Sequence, residues 1–361
     1  MPTRPGPEGP HSTPLPMQGM TSTTSLSRSH LERARTRQQE LTKPPGSLGL
    51  LEDVAVRLAG IQASDRPVSR PAAALLFASD HPVARHGVSA YPQSVTAAMV
   101  SNILSGGAAS SVFADHLEIP LQVVDVGVLA ATPEHPRLHR HPVADAAVGD
   151  LVHEDAMSPE VFRAALAAGR EAVERMGDLR LLLLGEMGIG NTTPASAVTC
   201  ALLGVSPAEV VGPGTGVEGP ALRRKQEVVE QALGRLPGEA SGELALRVLG
   251  GRELAAIAGA ALCARERGIA VLADGFIVSA ALLAATRMDP SLSDHLILGH
   301  RSAEPAHAAL VAALGDRPLV DLGLRLGEAT GALAALPLVD LACAMHRDMA
   351  TFAEAQVEGP A

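Results

Sequence analysis

One carboxylate, Glu328, stands where an apolar run ends in a glycine-flanked loop and a helical pattern begins. Leu324, Leu326 and Leu333 are its apolar neighbours in the sequence, so we expect the side chain to be partly buried. Burial disfavours the ionised form and raises the pKa of a carboxyl group, which suits Glu328 to accept a proton near neutral pH. The alternative is a solvated Glu in the first turn of the helix, where the helix dipole favours negative charge.

A glycine-rich stretch, Gly185–Pro194, follows the apolar run Leu181–Leu184 and leads into another helical pattern. Backbone N–H groups of such a loop can bind an anion at the carboxyl end of a strand. The order of glycines, G-x-x-G-x-G, is not the dinucleotide fingerprint of a dehydrogenase, and no Gly-Lys-Ser/Thr follows as in a P-loop. A phosphate-binding loop and a simple tight turn from strand to helix both fit this pattern.

Two further loops contain groups that could bind phosphate. The stretch Gly212–Gly216 precedes the basic triplet Arg223–Lys225, and a Lys or Arg there could neutralise a monophosphate. A solvated helix face would explain the triplet equally well. Ser302, in the loop 300–305, could hydrogen-bond a phosphate oxygen or only cap the helix that follows.

The loop 79–93 contains Asp80, His81, His86 and the only tyrosine, Tyr91. The spacing of the two histidines and the Asp matches no standard zinc or iron pattern, so we predict a loop that lines a substrate site rather than a metal site. No strand ends in an acidic pair that could hold Mg²⁺ for a pyrophosphate donor. A monophosphate bound by loops, without metal or cofactor, fits the sequence better.

Composition limits the kind of partner. The 361 residues are 47% apolar and carry a net charge of −10, with no Trp, which disfavours nucleic acid and favours small-molecule partners. Cys200, Cys263 and Cys343 are widely spaced within apolar patterns and indicate reduced core residues. No apolar stretch is long and uninterrupted enough to predict a membrane segment, so a cytoplasmic protein is expected.

Strands and helices, which differ in the periodicity of their apolar residues, must position these loops. Short apolar runs alternate with Ala-rich helical stretches, which predicts an α/β fold with a Rossmann-like, mostly parallel sheet and helices on both faces. The predicted strands are 73–77, 121–126, 179–184, 270–272, 295–298 and 319–324. A helical hairpin over 31–62 and a long helix over 329–354 are expected to form a small helical domain from both chain ends. The predicted units are a disordered tail (1–30), the helical domain (31–66 and 329–361) and the α/β domain (67–328).

Several stretches in order resemble the nicotinate-nucleotide–dimethylbenzimidazole phosphoribosyltransferase family. The likeness runs from about Lys43 to Val357 and rests on seven stretches: Lys43–Gly49, Gly87–Pro92, Val124–Gly127, Gly185–Pro194, Asp274–Phe276, His300–Pro305 and Asp321–Glu328. Many such stretches in the same order are far more specific than any single one.

The resemblance implies a homodimer that transfers phosphoribose from nicotinate mononucleotide to a benzimidazole-type base, with inversion at C1′. Glu328 matches the catalytic base of the family. The other implied site residues are Ser89, Tyr91 and Leu326 around the base, Glu186, Gly188, Gly190, Asn191 and Thr192 around the nucleotide, and Lys225 and Ser302 at the phosphate. The resemblance implies no metal and no cofactor.

Four positions depart from the pattern expected of the family: Pro82 and Ala329, where we expect Gly; Ala306, where we also expect Gly; and Pro213, where Arg would fit. Because a lost Gly restricts φ, the loops near the base pocket are expected to differ in shape. This leaves dimethylbenzimidazole, another benzimidazole, adenine or a phenol open as acceptor. It also leaves a second interpretation, a non-catalytic nucleotide-binding paralogue of the same fold.

Overall fold

A six-stranded sheet forms the centre of the protein in the computed structural model, which describes residues 26–359. Every neighbouring pair of strands is parallel, and the order across the sheet is β3-β2-β1-β4-β5-β6. The strands are β1 Ala72–Ser79, β2 Leu121–Gly127, β3 Leu138–Arg140, β4 Leu181–Met187, β5 Ala270–Ala273 and β6 Leu296–Leu298. The prediction of a parallel α/β sheet is confirmed.

The apolar runs read as strands are buried on both faces, as parallel sheets require. Every residue of β1 is buried, and its side chains alternate between two hydrophobic clusters. Leu75 and Phe77 belong to the cluster on one face, and Ala74 and Leu76 to the cluster on the other. This period of two explains how a continuous apolar sequence serves two cores at once.

Two strand predictions need correction. The segment 319–324 is not a strand, because it makes only a single bridge, between Val320 and His300, before Gly323 adopts a left-handed conformation. Leu322 is 61% exposed, and none of the other apolar residues of the segment is fully buried, unlike the residues of a central strand. Conversely, β3 was missed because it has only three residues and none of them is buried.

Helices cover both faces, as predicted. Their bounds are α1 Arg28–Glu40, α2 Leu50–Gln62, α3 Ser94–Leu104, α4 Ala109–His116, α5 Pro159–Arg175, α6 Thr192–Leu203, α7 Pro207–Val210, α8 Gly219–Leu233, α9 Gly242–Leu249, α10 Arg252–Glu266, α11 Phe276–Met288, α12 His307–Leu314, α13 Thr330–Asp348 and α14 Phe352–Ala355. Helices α5, α10 and α11 contribute to the cluster on one face. Helices α2, α3, α4 and α13 contribute to the other.

The predicted contact between the two chain ends is present. The guanidinium of Arg37 in α1 donates to the carbonyls of His346 at 2.7 Å and Met349 at 3.1 Å. Gln38 also hydrogen-bonds the ring of His346, which is buried in α13. Since α13 packs on the sheet as well as on the hairpin, the division into domains at residues 66 and 328 stays a prediction.

The predicted disordered tail falls mostly outside the described residues, which begin at position 26. The prediction is wrong for residues 28–30, because α1 begins at Arg28, three residues before the predicted start of the helical hairpin at 31. Among the described residues, one stretch, Ser94–His116, is long and apolar enough by composition to cross a membrane, and 44% of its most apolar 18-residue window is buried. In the fold this stretch comprises α3 and α4, separated by a turn at Gly106.

Candidate active site

A cavity of about 500 Å³ opens above the carboxyl ends of the central strands. The order of the strands reverses between β1 and β4, which is where open α/β sheets form their ligand-binding crevice. The walls come from α3 and its preceding loop and from the loops that follow β4, β5 and β6. Residues 214–215, between α7 and α8, and residues 325–328, before α13, complete them. The lining residues are Tyr91, Val95, Met99, Glu186, Met187, Gly188, Ile189, Asn191, Thr192, Gly214, Thr215, Asp274, Gly275, Phe276, Ile277, Val278, His300, Ser302, Glu304, Arg325, Leu326, Gly327 and Glu328.

Glu328 lines this cavity and is only 3% exposed. Its carboxylate Oε2 accepts a hydrogen bond from the hydroxyl of Ser110 at 3.2 Å. Burial raises the pKa of Glu328, the Ser110 hydrogen bond lowers it, and the nearby charge of Asp274 raises it further. The alternative of a solvated Glu in the first helical turn is therefore wrong.

The backbone around Glu328 is strained. Gly327, Glu328 and Ala329 all have positive φ, at 81°, 60° and 63°, although only the first is a glycine. Left-handed backbone costs most residues about 1–2 kcal/mol and persists only where the surroundings hold it. Here Gly185 lets the turn approach closely, since a side chain at Gly185 would meet the backbone nitrogen of Ala329 at 2.4 Å.

Asp274 fixes the turn from the other side. Its Oδ1 accepts from the backbone N–H of Gly331 at 2.7 Å and of Ala332 at 3.2 Å, so it caps α13 immediately after Glu328. Burial raises the pKa of Asp274, and the ring of His300, 3.5 Å away, opposes that effect. Because Asp274 takes the free donors of the helix, the Glu328 carboxylate is left to face the cavity.

Glu186, the sixth residue of β4, is a second buried acid in the wall. Burial, followed by the charge of Asp274, raises the pKa of Glu186 to about 8, while the amide of Asn191 hydrogen-bonds its Oε2 and lowers it. The carboxyl group also lies against Gly327, where an added Cβ would come within 2.3 Å of Oε1. Glu186, Glu328, Asp274 and Glu304 thus place four acids around one poorly solvated cavity, which favours a substrate that carries or develops positive charge.

Lys225 lies behind the cavity wall rather than in it. Its ammonium group donates to the hydroxyl of Thr192 at 2.8 Å and to the carbonyl of Gly212 at 3.0 Å. Burial lowers the pKa of Lys225 to about 8, and the carboxylate of Glu304 opposes this. Glu304 in turn accepts from the backbone N–H of Gly214 at 3.1 Å, so the pair fixes the loop after α7.

The structure brings most of the predicted site residues together. Glu328, Tyr91, Glu186, Gly188, Asn191, Thr192, Ser302 and Leu326 all line the cavity. Ser89, Gly190 and Lys225 do not line it, but Ser89 hydrogen-bonds the lining residue Thr215 at 3.1 Å. Tyr91 is 56% exposed and Leu326 59% exposed, so both stand at the mouth.

Asp274 and Arg325 are two polar residues of the wall that sequence reasoning did not predict as site residues. Asp274 was recognised only as part of a family stretch, although its position directly after β5 and before Gly275 could have marked it as a strand-end group. Arg325 is the only Lys or Arg among the lining residues, and its guanidinium donates to the carbonyl of Gly214 at 3.1 Å. The strand predicted over 319–324 ends one residue before Arg325, and no motif marked Arg325 as a site residue.

Two of the departures from the family pattern fit the local backbone. Pro82 begins a 3₁₀-helix over Pro82–His86, and the extended conformation of His81 before it is the one that proline requires. Ala306 has φ −68°, which needs no glycine. Ala329 does not fit in this way, since its φ of 63° is one that glycine adopts more readily.

Buried acids over the carboxyl ends of a parallel sheet, beside a glycine-rich loop, define an α/β enzyme that acts on a small polar substrate. A family model described as Phosphoribosyltransferase matches residues 23–357. The chain is 49% identical over 340 residues to the nicotinate-nucleotide–dimethylbenzimidazole phosphoribosyltransferase of Bradyrhizobium sp. (strain BTAi1), with 92% of this chain and 95% of that protein covered. The counterpart from Pseudomonas syringae pv. syringae (strain B728a) is 50% identical, over 90% of this chain and 93% of that protein.

Solved structures agree. The crystal structure of CobT from Thermus thermophilus matches with a TM-score of 0.88 and 46% identity, covering 92% of this chain and 100% of that one. The chain belongs to the nicotinate-nucleotide–dimethylbenzimidazole phosphoribosyltransferase family, and the resemblance seen in its sequence is confirmed.

Proposed function

We propose that this chain transfers phosphoribose from nicotinate mononucleotide to 5,6-dimethylbenzimidazole, yielding nicotinate and α-ribazole 5′-phosphate for cobalamin biosynthesis. The bond from C1′ to the pyridinium nitrogen breaks, and a bond from C1′ to one benzimidazole nitrogen forms on the opposite face, with inversion. The second ring nitrogen loses its proton. The observation that carries the proposal is that Glu328, an acid with a raised pKa, lines the same cavity as the glycine-rich loop after β4.

Glu328 is the proton acceptor in this reaction. Before reaction the cavity shields its carboxylate from water, and a raised pKa makes it a stronger base than an exposed Glu. The ring nitrogen of the departing nicotinate takes the electron pair of the broken bond and loses its positive charge, so the leaving group needs no metal. The proton moves to Glu328 as the benzimidazole nitrogen attacks.

Glu186 acts as a second acid near the ribose. Positive charge spreads over C1′ and the ring oxygen while the two nitrogen–carbon bonds are exchanged, and a carboxylate beside that charge stabilises it. A pKa of about 8 favours the protonated form of Glu186 at neutral pH in the free enzyme. The cationic pyridinium of the bound nucleotide favours its ionised form, so nucleotide binding and ionisation of Glu186 support each other.

The phosphate is bound by the glycine-rich loop and its neighbours. Gly188, Asn191 and Thr192 lie where β4 passes into the amino-terminal end of α6, where the helix dipole favours an anion. Lys225 contributes through the Thr192 hydroxyl and the Gly212 carbonyl that it holds, and Gly190 shapes the turn with a φ of 90°. Ser302 and Arg325 face the same space, and Arg325 supplies the lining cation that a phosphate needs.

The flat base fits the apolar side of the cavity. Tyr91, Leu326, Val95 and Met99 line that side, and Ser89 holds the Tyr91 loop through Thr215. Dimethylbenzimidazole is the acceptor that the named relatives support. We further propose a cytoplasmic homodimer, for which the exposed leucines of the segment 319–326 are a suitable contact surface.

The test is to incubate the purified protein with nicotinate mononucleotide and a panel of bases, and to separate the products by chromatography. We expect free nicotinate and an α-riboside phosphate in equal amounts, most rapidly with 5,6-dimethylbenzimidazole. If the protein binds the nucleotide but releases no nicotinate with any of the bases, it is instead a non-catalytic paralogue. Sedimentation analysis of the same sample measures the oligomeric state, and a monomer would contradict the proposed dimer.

A further inference from the structure

His86, Asp150 and His153 form a cluster away from the proposed active site. One ligand atom from each side chain can be chosen so that all three lie within 4.8 Å of one another. The Nε2 of His86 is 2.6 Å from Oδ2 of Asp150, and the rings of the two histidines are 5.8 Å apart between centroids. Within residues 26–359, this is the one group of three such side chains with spacing suited to a metal ion.

The segment that carries Asp150 and His153 is rigidly held. Both residues belong to one turn, in which the backbone N–H of His153 donates to the carbonyl of Asp150 at 2.8 Å. The other carboxylate oxygen of Asp150 accepts from the backbone N–H of Val152 at 3.1 Å, which orients the group toward His86. Arg235 anchors the turn through the carbonyl of Leu151 at 3.0 Å. Ligands fixed in advance lower the entropic cost of binding a metal.

The donor atoms select the kind of ion. Two imidazoles and one carboxylate suit Zn²⁺ and other late first-row metals, whereas Ca²⁺ and Mg²⁺ require mostly oxygen ligands. Tetrahedral zinc with bonds of about 2.0–2.2 Å sets its ligand atoms about 3.3 Å apart. His86 and Asp150 therefore need to separate by only about 0.7 Å, which small side-chain rotations supply. His153 is exposed and the other two side chains are 29% and 20% exposed, so a fourth, water-bound position has room.

We propose that His86, Asp150 and His153 bind one Zn²⁺ ion, with water as the fourth ligand. The ion would join two segments 64 residues apart, the 3₁₀-helix that ends at His86 and the turn at Asp150. Three residues beyond His86, Ser89 holds Thr215 in the wall of the cavity. The site is thus a structural clamp beside the loop that carries Tyr91, and its existence does not depend on the proposed reaction.

The experiment titrates metal-free full-length protein with Zn²⁺ by calorimetry and with Co²⁺ by visible absorption, in which tetrahedral Co²⁺ gives intense bands. We expect one equivalent to bind the wild-type protein. His153→Ala and Asp150→Asn should each weaken binding at least about tenfold and remove the Co²⁺ bands. His153 is exposed and Asn can still accept from Val152, so both variants should fold, which far-UV circular dichroism checks.

The matched control is His116→Ala, which removes an exposed histidine from α4 outside the cluster. This variant should bind Zn²⁺ as the wild type does. Equal affinity in all four proteins would place the metal on other histidines and overturn the proposal. Absence of stoichiometric Zn²⁺ binding to the wild type would overturn it too, and neither result bears on phosphoribosyl transfer.

Discussion

Two acids face the cavity from regions that are built in opposite ways. Glu186 lies near the end of β4, a strand that is buried throughout and paired on both sides, by β1 and β5. Glu328 follows the irregular segment 318–326 and sits between two other residues with positive φ. A regular strand fixes its acid without backbone strain, whereas the irregular segment holds its acid in a conformation that costs free energy. The acid in the strained region is the one proposed to accept the proton.

The two regions meet at Gly327. A Cβ at this position would lie 2.3 Å from the Glu186 carboxylate, so the strained turn packs directly on the acid of the regular strand. Asp274 couples them electrostatically as well, since its charge raises the pKa of both acids. The turn at 327–329 is therefore held by its contacts with β4 and with the cap at Asp274. Changes on either side should then have distinguishable effects.

The largest expected effect is on the reaction rate when Glu328 is replaced by Gln. Gln keeps the size of the side chain and its acceptor for Ser110, but it cannot take the proton, so kcat should fall about 10²–10⁴-fold. The KM for nicotinate mononucleotide should change little. Steady-state kinetics measures both values. The control is Glu118→Gln, which alters an exposed Glu that also has positive φ, at 54°, and should retain wild-type rates. A Glu328→Gln enzyme within about tenfold of wild type would contradict the role of the base.

A second test separates strain from contact at the junction of the two regions. Gly327→Ala introduces both a left-handed alanine and a collision with Glu186, whereas Gly323→Ala introduces the left-handed alanine alone, because nothing lies within 4 Å of its Cβ. The control should lose about 1–2 kcal/mol of unfolding free energy. Gly327→Ala should lose about 1–3 kcal/mol more. Urea denaturation measures both losses. Equal losses in Gly327→Ala and Gly323→Ala would mean that the turn does not pack tightly against Glu186 of β4.

The β4 region could be predicted from the sequence, whereas the conformation of the segment 318–326 could not. The β4 region follows local rules, since its apolar run, its glycine-rich loop and the start of its helix can each be read from the sequence. Glu186 itself was assigned to the site through the family resemblance. The segment 318–326 has the composition of a strand, but its conformation depends on how it packs against the loop after β6, through pairs such as Ala303 N–H with the Leu324 carbonyl at 2.9 Å. The role of Asp274 as the cap of α13 joins residues 57 positions apart and has no local signal.

A third prediction concerns the pH dependence of stability and the acid of the regular strand. Burial raises the pKa of Glu186 from 4.5 to about 8, so the folded protein binds this proton more tightly than the unfolded chain does. The resulting stabilisation is complete below pH 4.5 and is lost as the pH rises toward 8, at up to about 1.4 kcal/mol per pH unit.

Glu186→Gln has no such proton to lose, so its unfolding free energy relative to wild type should rise between pH 5 and pH 8, by at least about 1 kcal/mol. Urea denaturation at both pH values measures this difference. The control is Glu209→Gln, whose exposed carboxyl has its pKa lowered by Ser206 and should give no gain at pH 8. If the difference in unfolding free energy between Glu186→Gln and wild type were the same at pH 5 and pH 8, Glu186 would have an ordinary pKa in the folded protein.

The smallest effect is expected from Ala329→Gly, which removes the side chain from one of the strained residues. Relief of the left-handed conformation should stabilise the protein by about 1–2 kcal/mol. Greater freedom of the unfolded chain costs about 0.4–1 kcal/mol, and loss of a fully buried methyl group costs about 0.8 kcal/mol. The net change should therefore lie within about 1 kcal/mol of zero, as measured by urea denaturation.

Ala329→Val is the matching change in the opposite direction, because a β-branched residue is strained at a φ of 63° and Gly185 leaves no space for it. It should lose more than about 2 kcal/mol, since overpacking adds to the strain. If Val were tolerated as well as Gly, the turn at 327–329 would not be held in the left-handed conformation. The difference between the two regions would then lie in their contacts alone, because neither acid would be held by a strained backbone.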